Sequence, residues 1–469
     1  MKRLEVEDMK ILRRVFCSFV VLACANLFLV IRLLPKRLLS WRSVVVWGVL
    51  FALLTAALLW MVCRTQRKTW PTKRIQTLSD GYELLLYFLV SVTPTTVLQL
   101  VYTCVTFQNL FSGKVESVIQ TLMFWMLEIL IAVVYEAVVF WSGMIRLYVA
   151  SVQLGLKHRV LGAVCGWILG LNIYYLIKML RIVKTEIEQE TEKFYLNEAR
   201  AERSFCKTRY PLLLVHGVFF RDSRYLNYWG RISSELQKNG TTIFYGNQQS
   251  AASVEDSGKE LAERIVQIVQ QTGCEKVNII AHSKGGLDCR AAISHFGAAP
   301  YVASLTTINT PHRGCLFADY LLNKIPQKTR ETTALFYNTA LKKLGDPSPD
   351  FLSAVSDLTA ASCEARNGTT PDAEGVLYQS VMSYCKKARS GKFPLNVSYP
   401  LVKHFDGKND GLVAVQSAQW GERFVLVEPK TSRGISHADM IDLNRENIPG
   451  FDVREFYVSL VSDLKEKGY

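Results

Sequence analysis

Five stretches of about 20 apolar residues fill most of the first 181 positions, and they limit this chain more than any other feature. A backbone crossing a hydrocarbon layer finds no water to bond, so each such stretch has to satisfy its own hydrogen bonds as a helix. The runs are Val15 to Leu34, Val44 to Cys63, Leu84 to Val105, Leu122 to Trp141 and Val160 to Met179, and Pro94 interrupts the third. Apolar sequence continues beyond Val21-Leu22-Ala23-Cys24 and a second run follows, so the first run reads as an anchor and not as a removed leader. Residues 1–181 are expected to form an all-α multi-spanning membrane domain. Glu128 and Glu136 lie inside the fourth run and need partners there, pairing between helices being the default and transport or sensing the alternative.

Charge sets the expected orientation. The net charge is +14, about +10 of it within residues 1–200, which speaks for anionic headgroups; no P-loop, zinc spacing or nucleic-acid module accompanies it. Lys2, Arg3, Lys10, Arg13 and Arg14 precede the first run, Arg64, Arg67, Lys68, Lys73 and Arg74 follow the second, and Lys114 alone follows the third. That pattern favours an inside N-terminus in the cell membrane, and five crossings put the remainder outside the cytoplasm. Lys36, Arg37 and Arg42 argue the other way, and a count off by one reverses the side. Arg181 to Arg203, rich in glutamate, reads as a solvated helix within a linker over 182–208.

From residue 209 onward the pattern changes. Val277 to Ile280 is a short β-branched run suited to a doubly covered parallel strand, and Ala281-His282-Ser283-Lys284-Gly285 follows at once, ahead of a helix. Small residues two before and two after a serine, here Ala281 and Gly285, let a sharp strand-to-helix turn close and hold the hydroxyl out as a nucleophile elbow. Taken alone the pattern is loose, and a serine capping a surface helix fits it as well. A second apolar run, Tyr210 to Phe220, ends its strand at His216-Gly217, which makes Val218 N–H and Lys284 N–H the candidate oxyanion donors. Asp410 sits in a turn after the strand-like Tyr399 to Phe405, and His437 lies in a later loop before an amphipathic helix. The order Ser, Asp, His is that of α/β-hydrolases. Asp406 is the rival acid, with a turn-forming role in Asp406-Gly407 as its plainer reading.

Four blocks, LLLVHG, KVNIIAHSKGG, TINTPHRG (Thr307 to Gly314) and NDGLV (Asn409 to Val413), make residues 209–469 resemble the bacterial true lipases, triacylglycerol hydrolases of α/β-hydrolase fold. The resemblance implies a mostly parallel sheet covered by helices, with Ser283 as nucleophile, Asp410 as acid, His437 as base, and Val218 and Lys284 as oxyanion donors. Many such lipases hold calcium between two carboxylates. Asp439 matches one, but Lys386 to Tyr399 supplies no aspartate for the other, so no metal or other cofactor is expected. A disulfide found in some relatives is also missing, since Gln416 stands where its cysteine would be; Cys363 and Cys385 are candidates to pair on an oxidising side.

Residues 315–395 read as a cap insertion with helices at Phe317 to Lys324, Thr333 to Leu344 and Phe351 to Ala361, and turns at Gly345 to Pro349 and Asn367 to Asp372. Phe317, Tyr320, Phe336 and Tyr337 are candidates for an acyl groove, with ordinary packing an equal reading. The expected activity is hydrolysis of lipid carboxylic esters through an acyl-enzyme, with a lipid ester and the bilayer as partners. An acyltransferase would use the same residues, and a silent receptor or scaffold would keep only the shell. Nucleic acid is not an expected partner, and the sequence names no protein partner.

Overall fold

A computed structural model describes residues 2–33, 41–63, 70–115, 117–168, 170–202, 204–218, 227–343 and 348–469. The sequence readings at Lys36, Arg37, Arg64, Arg67, Lys68, Phe220 and residues 345–347 lie outside the described residues. Contacts divide the chain into two compact units, Met1–Leu196 and Asn197–Tyr469.

Within the first unit the apolar runs become α1 (Lys2–Leu33), α2 (Trp41–Cys63), α3 (Lys73–Phe111) and α4 (Val118–Ala150). Among the described residues these are the four helices long and apolar enough to cross a membrane. The fifth run is not one helix. It is split into α5 (Gly155–Cys165) and α6 (Leu171–Ala201), with Gly166 as the cap of α5 and Gly170, at the left-handed φ of +82°, just before α6. Gly81 and Gly143 let α3 and α4 touch, since a Cβ on Gly81 would stand 2.6 Å from Leu147 Cδ1 and one on Gly143 2.7 Å from Leu85 Cγ. The two carboxylates within α4 find neutral partners: Ser91 and Thr95 donate to Glu136 at 2.9 and 3.1 Å, and Gln99 Nε2 donates to Glu128 at 3.0 Å. The glutamate-rich segment is not wholly solvated. Glu186 is buried and accepts from Arg74, Ser151 Oγ and the Val152 N–H at 2.6, 2.6 and 3.0 Å.

The second unit is built on strands whose residues alternate between two apolar cores. Along β1 (Leu212–Val215), Leu212 and Leu214 face the core that contains Trp229, Ile232 and Tyr457, whereas Leu213 and Val215 face the core of Leu261, Ile265 and Ala292. The elements that follow are α7 (Ile232–Lys238), β2 (Ile243–Tyr245), α8 (Val254–Thr272), β3 (Val277–His282), α9 (Lys284–His295) and β4 (Val302–Ile308). Four helices then intervene, α10 (Leu316–Lys324), α11 (Gln327–Lys343), α12 (Phe351–Ser356) and α13 (Ala360–Asn367), before β5 (Leu377–Ser383), α14 (Leu395–Asp406), β6 (Arg423–Val427) and α15 (Val453–Glu466). The six strands pair in parallel in the order β2-β1-β3-β4-β5-β6. The strand order reverses at β1, so the crevice beyond the carboxyl ends of β1 and β3 is the topological switch point where such sheets place their sites.

Three expectations change here. The cap ends before residue 377, because β5 is a core strand and not part of the insertion. Its polar residues hide it from an apolar-run reading, yet each is paired: Gln379 Nε2 with Thr306 Oγ1 at 2.7 Å and Ser380 Oγ with Trp420 O at 2.6 Å. Tyr399 to Phe405 is helical, lying inside α14, where Leu395, Tyr399 and Val402 are buried along one face at helical spacing. Cys363 and Cys385 are separate free thiols, Cys363 Sγ near Pro311 O and Cys385 Sγ near Asp410 O.

Candidate active site

Register brings the first two site segments together. Val215 on β1 pairs with Ala281 on β3, so the two strands end level and Gly217 lies against Ser283: a Cβ on Gly217 would stand 2.8 Å from Ser283 Cβ. Val218, half-buried, follows immediately, and Lys284 opens α9 on the other side of the serine. Gly285 has no room for a side chain, because a Cβ there would run into the carbonyl oxygen of His216. Ala281 is fully buried in the core behind the turn.

Ser283 itself adopts φ 55°, ψ −131°, a conformation non-glycine residues avoid. Its backbone is held from both sides: the Ser283 N–H donates to Ile308 O at 2.9 Å, and Thr310 Oγ1 donates to Ser283 O at 2.7 Å. The Lys284 side chain is turned inward, its Nζ 2.6 Å from Asp288 Oδ1 and 3.1 Å from Ser257 Oγ, which ties the first turn of α9 to α8. Burial pushes the Asp288 carboxyl up to about 6 against the opposing pull of Lys284.

Asp410 and His437 are brought together by side chain and backbone. His437 Nδ1 lies 2.7 Å from Asp410 Oδ2, and the His437 N–H donates to Asp410 O at 3.0 Å. The carboxylate is fully engaged: Oδ2 also accepts from Asn309 Nδ2 at 2.6 Å, and Oδ1 accepts from the Leu412 and Val413 N–H groups at 2.9 and 2.8 Å. Such saturation fixes both the position of the acid and the face of the imidazole it holds. Asp406 is elsewhere in the design, accepting from the Leu316 and Phe317 N–H groups at 2.9 and 3.1 Å as the cap of α10.

Two residues not singled out as site residues in the sequence complete the surroundings. Asn309, at φ 48° just beyond β4, donates through Nδ2 to Ser383 Oγ as well as to Asp410. It lies inside TINTPHRG, so the block carried the signal without indicating its role. Tyr228 places its hydroxyl between the Gly217 N–H, 3.0 Å away, and His282 Nδ1, 2.7 Å away. The His282 ring lies 4.4 Å from that of His437, and burial, reinforced by His437, holds His282 well below 6.5. A neutral His282 adds no charge beside a protonated His437. His216 and His312 shape loops through hydrogen bonds to backbone or hydroxyl groups.

The donors around Asp439 do not fit a calcium ion. Both its oxygens are occupied, by Arg433 at 2.7 and 3.1 Å and by the Ser436 N–H at 2.8 Å, so a cation would have to displace a guanidinium. Of the aromatic groove candidates, Tyr320 packs on Phe405 at 4.7 Å and Tyr337 on Phe351 at 4.6 Å, while Phe336 is exposed.

The parallel sheet, its switch-point crevice and the elbow make the second unit an α/β-hydrolase domain, joined in one chain to a helical unit with apolar helices. Comparison with known proteins gives the likeness more closely. The palmitoyl protein thioesterase family profile matches residues 211–346. The chain is 36% identical over 189 residues to a triacylglycerol lipase of Burkholderia plantarii, covering 37% of this chain and 52% of that protein. It is 29% identical over 273 residues to triacylglycerol lipase 2 of Saccharomyces cerevisiae, covering 53% and 78%. A solved Staphylococcus hyicus lipase aligns with TM-score 0.43 and 18% identity over 55% of this chain and 96% of that one. The chain spans about half the length of the first of these relatives. The C-terminal domain is thus similar to triacylglycerol lipases.

Proposed function

We propose that the protein is a membrane-anchored serine hydrolase that cleaves carboxylic esters of lipids through an acyl-enzyme. The observation that carries this reading is the hydrogen bond between Asp410 and His437, with the His437 ring 4.4 Å from that of His282, the residue before Ser283 in the strained elbow. In this reading His437, oriented by Asp410, takes the Ser283 proton as the hydroxyl attacks the acyl carbonyl. The Val218 and Lys284 N–H groups stabilise the oxyanion. The proton then passes to the leaving alcohol, and water repeats the attack to release the acid. Labelling by a fluorophosphonate that is lost in Ser283→Ala, together with p-nitrophenol release from acyl esters of graded chain length, tests it. Retention of both in Ser283→Ala would overturn the assignment.

The thioesterase profile favours a second substrate class. The same steps cleave an acyl thioester, with a thiol as leaving group, and comparing turnover of a palmitoyl thioester with that of the matching oxygen ester separates the two. An acyltransferase is distinguished by adding an alcohol acceptor and looking for transesterified product.

In this reading the four long apolar helices are the crossings, which changes the expected side. With an inside N-terminus an even count puts the hydrolase unit on the cytoplasmic side, a placement consistent with the six unpaired thiols of that unit. A C-terminal reporter active only in the periplasm or lumen would refute that placement.

A further inference from the structure

We propose that α14 is a docking element by which the hydrolase unit lies on a bilayer surface rich in anionic phospholipid. The proposal deepens the lipid-ester reading by naming the surface that presents the substrate. Val397 and Leu401 on α14 and Phe393 in the turn just before it are 56%, 42% and 81% exposed. The opposite face, Leu395, Tyr399 and Val402, is buried, so packing is complete without the outer stripe. Leu316 and Tyr320 of α10, 49% and 43% exposed, extend the apolar surface, with the Tyr320 ring packed 4.7 Å from that of Phe405 of α14.

Charge identifies the occupant. Lys386, Lys387, Arg389, Lys392, Lys403 and Lys408 fall within residues 386–408, whose one acidic residue is Asp406. Asp406 is buried and spent on the N-terminus of α10, and Glu446 answers Lys392 alone. A short apolar stripe bordered by cations suits an interface in which hydrocarbon lies beneath phosphate, because the stripe enters the acyl boundary while the lysines stay among the headgroups. A neutral protein surface offers the apolar half of that match but not the charged half. Asp410 follows the end of α14 by four residues, so docking there would set the catalytic acid, and the site around it, at a fixed height over the lipid.

The test uses the full chain carrying Ser283→Ala, reconstituted in nanodiscs of phosphatidylcholine, in nanodiscs of phosphatidylcholine with phosphatidylglycerol, and in a neutral detergent micelle. Hydrogen exchange of the peptide spanning 393–406 should slow by about tenfold in the anionic discs relative to the neutral ones. The slowing should disappear in Lys387→Glu/Lys392→Glu/Lys403→Glu and in Phe393→Ser/Val397→Ser/Leu401→Ser. Equal protection in all three environments would mean that a second copy or another part of this chain covers the stripe, and no protection in any would mean that nothing does; either result overturns the proposal. In the Ser283 background, the lysine variant should hydrolyse a short soluble ester as before and lose about tenfold on lipid in anionic vesicles. Loss of soluble-ester turnover in the unaltered protein would count against the hydrolase reading and leave the exchange result standing.

Discussion

At the scale of single residues, the four hydrogen bonds on Asp410 and the helix-capping bonds on Asp406 give the two aspartates separable phenotypes. Ser283→Ala and His437→Ala should lower turnover of a soluble ester by about 10⁶-fold with unfolding temperature little changed, and Asp410→Asn should lower it by about 10⁴-fold. Asp406→Asn should do the reverse, removing about 1 kcal/mol of stability through a weakened α10 cap while activity holds. Equal catalytic losses in the two Asn variants, measured side by side with calorimetry, would reassign the acid. Burial also holds His282 and His312 well below 6.5 in the folded chain. The unfolded chain therefore binds protons that the native one refuses: stability is complete above about pH 6.5 and falls as pH drops below it. His312→Asn should flatten the fall in unfolding temperature between about pH 7 and 5, and an unchanged slope would exclude that histidine. Because Arg433 already occupies Asp439, EDTA should leave both ester turnover and unfolding temperature unaltered, whereas a loss restored by calcium alone would show a site built from other ligands.

At the scale of elements, packing decides what periodicity leaves open. Gly143→Leu should destabilise the helical unit by about 1–3 kcal/mol, because α4 has to back away from Leu85 on α3; an unchanged melting temperature in detergent would refute the close contact. Gly285→Ala should impair the hydrolase unit in the same way, through the His216 carbonyl. Legibility varied for physical reasons. The strand-turn-helix at Ser283 could be read because its apolar run is unbroken and its small residues are forced by geometry. β5 could not, because Gln379, Ser380 and Ser383 spend their polarity inside the sheet, and a sequence does not show that pairing. Tyr399 to Phe405 looked like a strand because its aromatic and β-branched residues suit either state, and only burial along one face of α14 settles it. The Asp410 and His437 candidates were legible as types in order. Asn309 and Tyr228 were not, since each acts through a neighbour far away in sequence.

At the scale of the whole molecule, the unit boundary falls inside α6, and the residues just after it belong to the hydrolase. Asn197 Nδ2 donates to Glu235 Oε1 at 2.5 Å, and Arg200 pairs with Glu455 at 2.8 Å. A chain shortened to begin near residue 193 should be soluble, fold, and cleave short esters, whereas one beginning at 202 should melt lower for want of those two ties. Measuring both by thermal unfolding and ester turnover checks the boundary; a folded but inactive longer form would make the helical unit part of the site.

The level ends of β1 and β3 have a consequence for how such a chain can vary. A strand's side chains change face at every residue, so one inserted residue in either strand would shift the elbow relative to Gly217 by about 3.3 Å and turn one apolar core inside out. A conservative swap on α8 or α15 changes only local fit. The site's accuracy is thus stored as a residue count, and sequence drift should be far better tolerated around these two strands than any change in their length.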